Sequence, residues 1–310
     1  MADRTLRLAH SPDSDDLVMW WPLTGMRGPD GEPVAGELGT PRVDTRGFTF
    51  QTVGVDVEAL NKASAEEINE FDITAISAAA YPAIHKQWAI TRCGGSFGEG
   101  YGPRVVVRED SPVREPHDLK GKTIAVPGTR TSAFLALSLL LGENEDRGFA
   151  HEVMLFSDVP AAVIEGRADA GLLIHEAQLT FEQMGLRKVI DLGQWWTART
   201  ALPLPLGLNV IRRDLDDRFG EGAVAEVSGV LSASVHHAVE HADESRRYLL
   251  LHSEHRPEWR DETLVEKYLS MYVSRLSVDM GDRGVEALRR FLGEGAERGY
   301  IDPAPTIDVV

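Results

Sequence analysis

Short apolar runs that stop abruptly in polar or ionisable side chains, each followed by a stretch able to form a helix, recur four times along the chain. The first is Leu6-Arg7-Leu8-Ala9-His10, which runs into Ser11-Pro12-Asp13-Ser14-Asp15-Asp16. The second is Asp72-Ile73-Thr74-Ala75-Ile76-Ser77 before Ala78-Ala79-Ala80, and the third is Lys122-Thr123-Ile124-Ala125-Val126-Pro127-Gly128 before Thr129-Arg130-Thr131-Ser132. The fourth is Ala170-Gly171-Leu172-Leu173-Ile174 before His175-Glu176. Each run predicts a strand whose carboxyl end carries side chains suited to chemistry. In open α/β sheets ligands bind at that end, where helix amino termini offer unpaired N–H groups to anions, so the four junctions predict one shared cleft.

Between the second and third junctions lies the glycine-rich segment 94–103, followed by the apolar strand 104–107. Its Gly-x-Gly spacing is a weak nucleotide signal. A dinucleotide loop follows a strand and opens a helix, a phosphate loop needs Gly-Lys-Ser/Thr, and neither context is present. The segment reads as a flexible crossover between two lobes. A second crossover fits 200–207, after which 208–211 reads as a strand returning to the first lobe. The expected organisation is therefore a discontinuous lobe one, residues 1–104 and 208–310 with C-terminal helices, and a lobe two, residues 105–207. Helical spacing of apolar residues covers 224–235, 264–276 and 285–291, a tail expected to pack on lobe one. Residues 26–47, rich in Gly and Pro, read as a surface loop.

Composition narrows the classes. A chain of 310 residues, 43% hydrophobic, has ample material for a packed core and suits two compact units. No apolar run approaches the roughly 20 residues of a membrane span, and residues 1–7 lack a secretion signal, so the expected location is the cytoplasm and no membrane partner is expected. Cys93 is the single cysteine, which excludes an internal disulfide and a thiolate-rich metal site. A net charge of −17 lacks the basic footprint of a nucleic-acid binder, and an anionic ligand would need a local cluster of donors. The sequence is silent on oligomeric state.

The residues alone leave their roles open. His175 suits a general base because the ordinary imidazole pKa of about 6.5 lies near working pH, but a histidine ending an apolar strand is also a common hydrogen-bonded structural residue. Ser77, Thr131 and Ser132 fit helix caps and fit anion binders, and the two roles can coexist. Glu176 suits an orienting partner of His175 or a support of the fold, and Trp195 and Trp196 read as packing. No lysine stands in apolar surroundings suited to a Schiff base. His237 and His241 have helical i, i+4 spacing but lack the glutamate of a zinc motif.

The string Gly171-Leu172-Leu173-Ile174-His175-Glu176, continued by Asp191-Leu192-Gly193-Gln194-Trp195-Trp196, Arg199-Thr200 and Leu202-Pro203-Leu204-Pro205-Leu206-Gly207, resembles the menaquinone-biosynthesis family, and within it the 1,4-dihydroxy-6-naphthoate synthases. Further matching stretches are Asp56-Val57-Glu58-Ala59-Leu60-Asn61, Gly102-Pro103, Val126-Pro127-Gly128 with Thr131-Ser132, and Tyr272-Val273 with Asp279 and Gly281. The resemblance implies an α/β fold of the type II periplasmic-binding-protein kind, two lobes with a ligand cleft between them. It implies a carbon-carbon lyase acting on cyclic dehypoxanthine futalosine to give 1,4-dihydroxy-6-naphthoate and dihydroxyacetone, with no metal and no organic cofactor. It implies His175, as an uncharged imidazole, as proton acceptor, and Ala75, Ile76, Ser77, Thr131 and Ser132 as contacts to a small carboxylate substrate. Two departures stand out. The first loop of such proteins usually reads Ser-Pro-Cys-Pro-Asn-Asp-Thr, where this chain has Ser11-Pro12-Asp13-Ser14-Asp15-Asp16-Leu17, and Ser274 stands where Asn is usual. A non-catalytic organic-acid binder and the related chorismate dehydratase remain the alternatives, although the dehydratase's corresponding strand typically ends in Gly-Asp.

Overall fold

The computed structural model describes residues 4–66, 70–142, 149–254, 256–303 and 305–310; the first three residues of the 1–7 stretch lie outside these. In chain order the strands are β1 (Thr5–His10), β2 (Thr49–Gly54), β3 (Ile73–Ser77), β4 (Trp88–Ile90), β5 (Ser96–Gly98), β6 (Arg104–Arg108), β7 (Thr123–Val126), β8 (Ala150–Val153), β9 (Ala170–Leu173), β10 (Leu186–Asp191) and β11 (Leu204–Arg212). They form two mixed sheets. One has the order β2-β1-β3-β11-β4 with β5 beside β11, and the other has the order β10-β6-β9-β7-β8. The chain crosses from the first sheet to the second after β5 and returns with β11. β3 and β9 are buried along their whole length, which is why they read as unbroken apolar runs rather than alternating ones.

The two crossover segments differ from the sequence expectation. Leu204 to Gly207, read as connector, is the first part of a nine-residue strand, and residues 96–98 of the glycine-rich segment pair with it, Leu204 opposite Gly98 and Gly207 opposite Ser96. Pro205, which has no N–H for the ladder, sits where the register shifts, a usual place for proline in a sheet. The glycine-rich segment is also tightly packed. A Cβ on Gly98 would lie 2.0 Å from the Tyr101 carbonyl oxygen, and one on Gly193 would lie 1.8 Å from the same atom. The glycines are needed for close approach of backbone to backbone, which leaves little of the expected freedom.

One apolar cluster runs under both sheets. It joins Ile76, Trp88 and Phe97 of the first to Val105, Ile124 and Leu172 of the second through Leu135, Trp196 and Phe291. Phe291 belongs to the helix Gly281–Glu297, so the end of the C-terminal tail packs beneath both lobes rather than on lobe one alone. The helix Ala223–Glu240 packs on the helix Ser14–Thr24 and on the first sheet. Residues 26–47 hold a short turn of 3-10 helix, Glu37–Gly39, and an isolated bridge between Arg27 and Pro33. Among the described residues no helix is long and apolar enough to cross a membrane.

Candidate functional site

The ends of β1, β3, β7 and β9 meet at one cavity between the sheets, with an empty volume of about 680 Å³ that includes its mouth. His175, Ala75, Ile76, Ser77, Thr131 and Ser132 all line it. No lysine or arginine is among the described residues that do.

His175 follows β9 and precedes the short helix Ala177–Thr180, and its backbone is left-handed, with φ of 55°. A side chain other than glycine adopts this region at some cost, so the surroundings must hold it there. They do so through the ring. Nδ1 lies 2.5 Å from Oδ2 of Asp13, and the Phe156 ring packs edge-on against the imidazole at 4.6 Å. Nε2 is buried and has no protein partner. Asp13 stands directly before the helix Ser14–Thr24, where a carboxylate commonly caps. Its side chain makes no cap hydrogen bond and turns to the imidazole instead.

Charge on the site follows from this pairing. Burial favours the neutral imidazole, but the charge and hydrogen bond of Asp13 outweigh it, and the pKa of His175 lies above its ordinary value. Burial likewise opposes ionisation of Asp13, yet His175 brings its carboxyl down to about 2. Asp15 and Asp16 move the other way. Burial first, then the negative charge of Asp13, pushes Asp15 well above the carboxylate range and Asp16 up to about 8. The site therefore favours Asp13 as the carboxylate, and its burial and charge strengthen proton binding at His175, Asp15 and Asp16. The counter-charge beside the imidazole arrives from another strand end, that of β1. The acidic first loop accordingly does not present three negative charges to a ligand.

Glu176 does not touch the imidazole. Its Oε1 accepts from the Ser14 N–H at 3.3 Å, the Ser14 hydroxyl at 2.9 Å and the Trp259 indole N–H at 3.0 Å, which ties the end of β9 to the first helix and to the C-terminal region. Thr131 is a cap: its hydroxyl accepts from the Phe134 N–H at 3.1 Å and donates to the Gly128 carbonyl at 2.9 Å. Ser132 donates to the Leu206 carbonyl at 2.6 Å and accepts from the Ala79 N–H at 3.2 Å. Ser77 is held by Asn61, whose amide oxygen accepts from the Ser77 N–H at 2.7 Å and whose amide donates to the Ser77 hydroxyl at 3.0 Å. Arg130 reaches the Asn61 carbonyl instead of the cavity. Trp196 is packing, with its indole N–H on the Pro203 carbonyl and its ring 5.3 Å from Phe291. His237 and His241 stack on each other at 4.0 Å, and no described group of three or more His, Cys, Asp or Glu could hold a metal ion.

Sequence reasoning put the loop of Asp13, Asp15 and Asp16 at the shared cleft without giving these residues a role, and it missed Gln178, Tyr268 and Tyr272 as cavity residues. The tyrosines lie i, i+4 on the helix Glu262–Tyr272, a spacing that puts both on one face, and Tyr272 donates to the Gln178 side chain at 2.9 Å.

Residues 6–297 match the family profile described as menaquinone biosynthesis. The chain belongs to the menaquinone-biosynthesis family. Two 1,4-dihydroxy-6-naphthoate synthases are similar over nearly the whole length. That of Thermus thermophilus is 34% identical across 97% of this chain and 97% of its own, and that of Streptomyces coelicolor is 32% identical across 97% and 96%. Membership in this family makes the chain an enzyme of menaquinone biosynthesis. A solved protein of Archaeoglobus fulgidus, 34% identical, superposes with a TM-score of 0.79 over 97% of this chain and all of the other. The alkanesulfonate-binding protein SsuA of Xanthomonas axonopodis, 16% identical, gives 0.67 over 99% and 98%, a likeness of fold. The architecture is thus the two-lobed α/β periplasmic-binding-protein fold.

Proposed function

We propose that this enzyme is a carbon-carbon lyase that cleaves cyclic dehypoxanthine futalosine to 1,4-dihydroxy-6-naphthoate and dihydroxyacetone, with His175 as general base. The observation that carries the reading is the buried, unpartnered Nε2 of His175 on the cavity, with Nδ1 already engaged by Asp13. In its neutral form this nitrogen accepts the proton of a substrate hydroxyl. The oxygen's electron pair then closes to a carbonyl, the carbon-carbon bond breaks, and its electrons pass to the bicyclic fragment, whose aromatisation draws the reaction forward.

The substrate carboxylate needs donors in a cavity without lysine or arginine. At the start of the helix Ser132–Leu141, Thr131 already satisfies the N–H groups of Phe134 and Leu135, which leaves those of Ser132 and Ala133 for an anion. In this reading Ala75, Ile76, Ser77, Thr131 and Ser132 form the substrate wall. The two lobes, one built on each sheet, close on the ligand in the cytoplasm.

Incubation of the purified chain with cyclic dehypoxanthine futalosine tests the proposal by mass spectrometry, with both products expected. Retention of the ligand without product supports an organic-acid binder instead, and turnover of chorismate supports the dehydratase.

A further inference from the structure

The Asp13–His175 pair goes beyond the assignment of a base and rests on that assignment. Asp13 comes from the loop after β1 and His175 from the end of β9, so the contact joins one sheet to the other. The Asp13 side chain is 5% exposed, takes no part in capping its own helix, and approaches Nδ1 to 2.5 Å. An imidazole in isolation chooses between two tautomers, and only the one with its proton on Nδ1 leaves Nε2 free to accept.

We propose that Asp13 is the positioning residue of this site: by accepting from Nδ1 it fixes the ring and the tautomer of His175, so that Nε2 faces the substrate once the two lobes are together. Asp15 supports the arrangement. Its pKa is raised, by burial first and then by the charge of Asp13, so that it favours the neutral acid, a form that can donate to the Asp13 carboxylate. The other ionisable groups that face the pair are Asp16 and His10 from the first strand end, Glu176, Arg256 and Tyr268. Three of these have partners of their own: Glu176 accepts from the Trp259 indole, Arg256 donates to the Pro12 carbonyl, and Asp16 accepts from the Ser11 N–H.

Asp13→Asn is the test. The amide removes the charge and can hold either tautomer, so kcat is expected to fall about a hundredfold or more. The acid limb of the kcat profile is expected to move to lower pH, because burial then acts on His175 without its counter-charge. In wild-type protein labelled at histidine, proton NMR should show a far-downfield Nδ1 resonance that Asp13→Asn and His175→Asn both lose. Asp13→Ala should regain activity with added formate. Wild-type kcat and an unmoved limb in Asp13→Asn would overturn the proposal, as would absence of the downfield resonance from the wild type. If instead His175→Asn stays active, it is the base reading that fails, while the resonance still decides whether Asp13 holds the ring.

Discussion

Glu176 and Ser14 meet where the two sheets face each other, the carboxylate taking both the N–H and the hydroxyl of the serine. One residue away on each side, Asp13 meets His175. His175 and Glu176 are thus each tied to the same turn of the first helix, and the site is assembled by the approach of the lobes rather than by either alone.

Removing the Glu176 tie should loosen that approach. Glu176→Ala leaves the Ser14 N–H and hydroxyl and the Trp259 indole without an acceptor. A loss of about 1–3 kcal/mol is expected for buried donors so deprived. Thermal melting should register it, and KM should rise more than kcat falls, because the imidazole itself keeps Asp13.

The rate should depend on pH through His175. Its pKa is raised, so the neutral base gains population only as pH climbs past the ordinary imidazole value. The acid limb of the wild-type kcat profile is expected above about pH 6.5. A limb below that value would mean that Asp13 does not carry its charge next to the ring.

Stability should follow the opposite course. Asp15 and Asp16 have folded-state pKa values raised above their unfolded ones, so their contribution is complete below about pH 4 and is lost as pH rises, through about 8 for Asp16. His175, also raised, adds a loss of the same sign above its unfolded value. Asp13, lowered to about 2, contributes stability that is present above about pH 4 and is lost only in stronger acid, so it does not alter the comparison. The melting temperature of the unliganded enzyme is therefore expected to be higher near about pH 5.5 than near about pH 8.5. Asp16→Asn, which keeps an oxygen for the Ser11 N–H, should shrink the difference by a few degrees or more, about what 1–2 kcal/mol produces in a chain of this size.

Backbone packing at the crossover gives a further expectation. Gly193→Ala drives a methyl group into the Tyr101 carbonyl and the Gly102 N–H. Neither is a flexible side-chain end, so overpacking should cost about 1–3 kcal/mol or more, read by denaturant midpoint.

Much of this site was legible in the chain. The four strand ends that finish in His10, Ser77, Gly128 and His175 do converge, because parallel strands with helical returns bring their carboxyl ends to one edge. The pairing of Asp13 with His175 was not legible. Both residues stand at junctions that sequence marks, but which strand end faces which is set by how the sheets pack across the shared core of Phe97, Trp196 and Phe291. The charge state was hidden for the same reason, since burial and counter-charge arise only after folding. Residues 204–207 misled because two prolines in five positions resemble a connector, and only pairing with residues 96–98 makes them strand.

Release of dihydroxyacetone from cyclic dehypoxanthine futalosine, measured for His175→Asn beside the wild type, bears most directly on the chemistry. A fall of roughly 10²- to 10⁴-fold, the share a general base commonly supplies, is the expected result. Release at the wild-type rate would show that the imidazole is not the base.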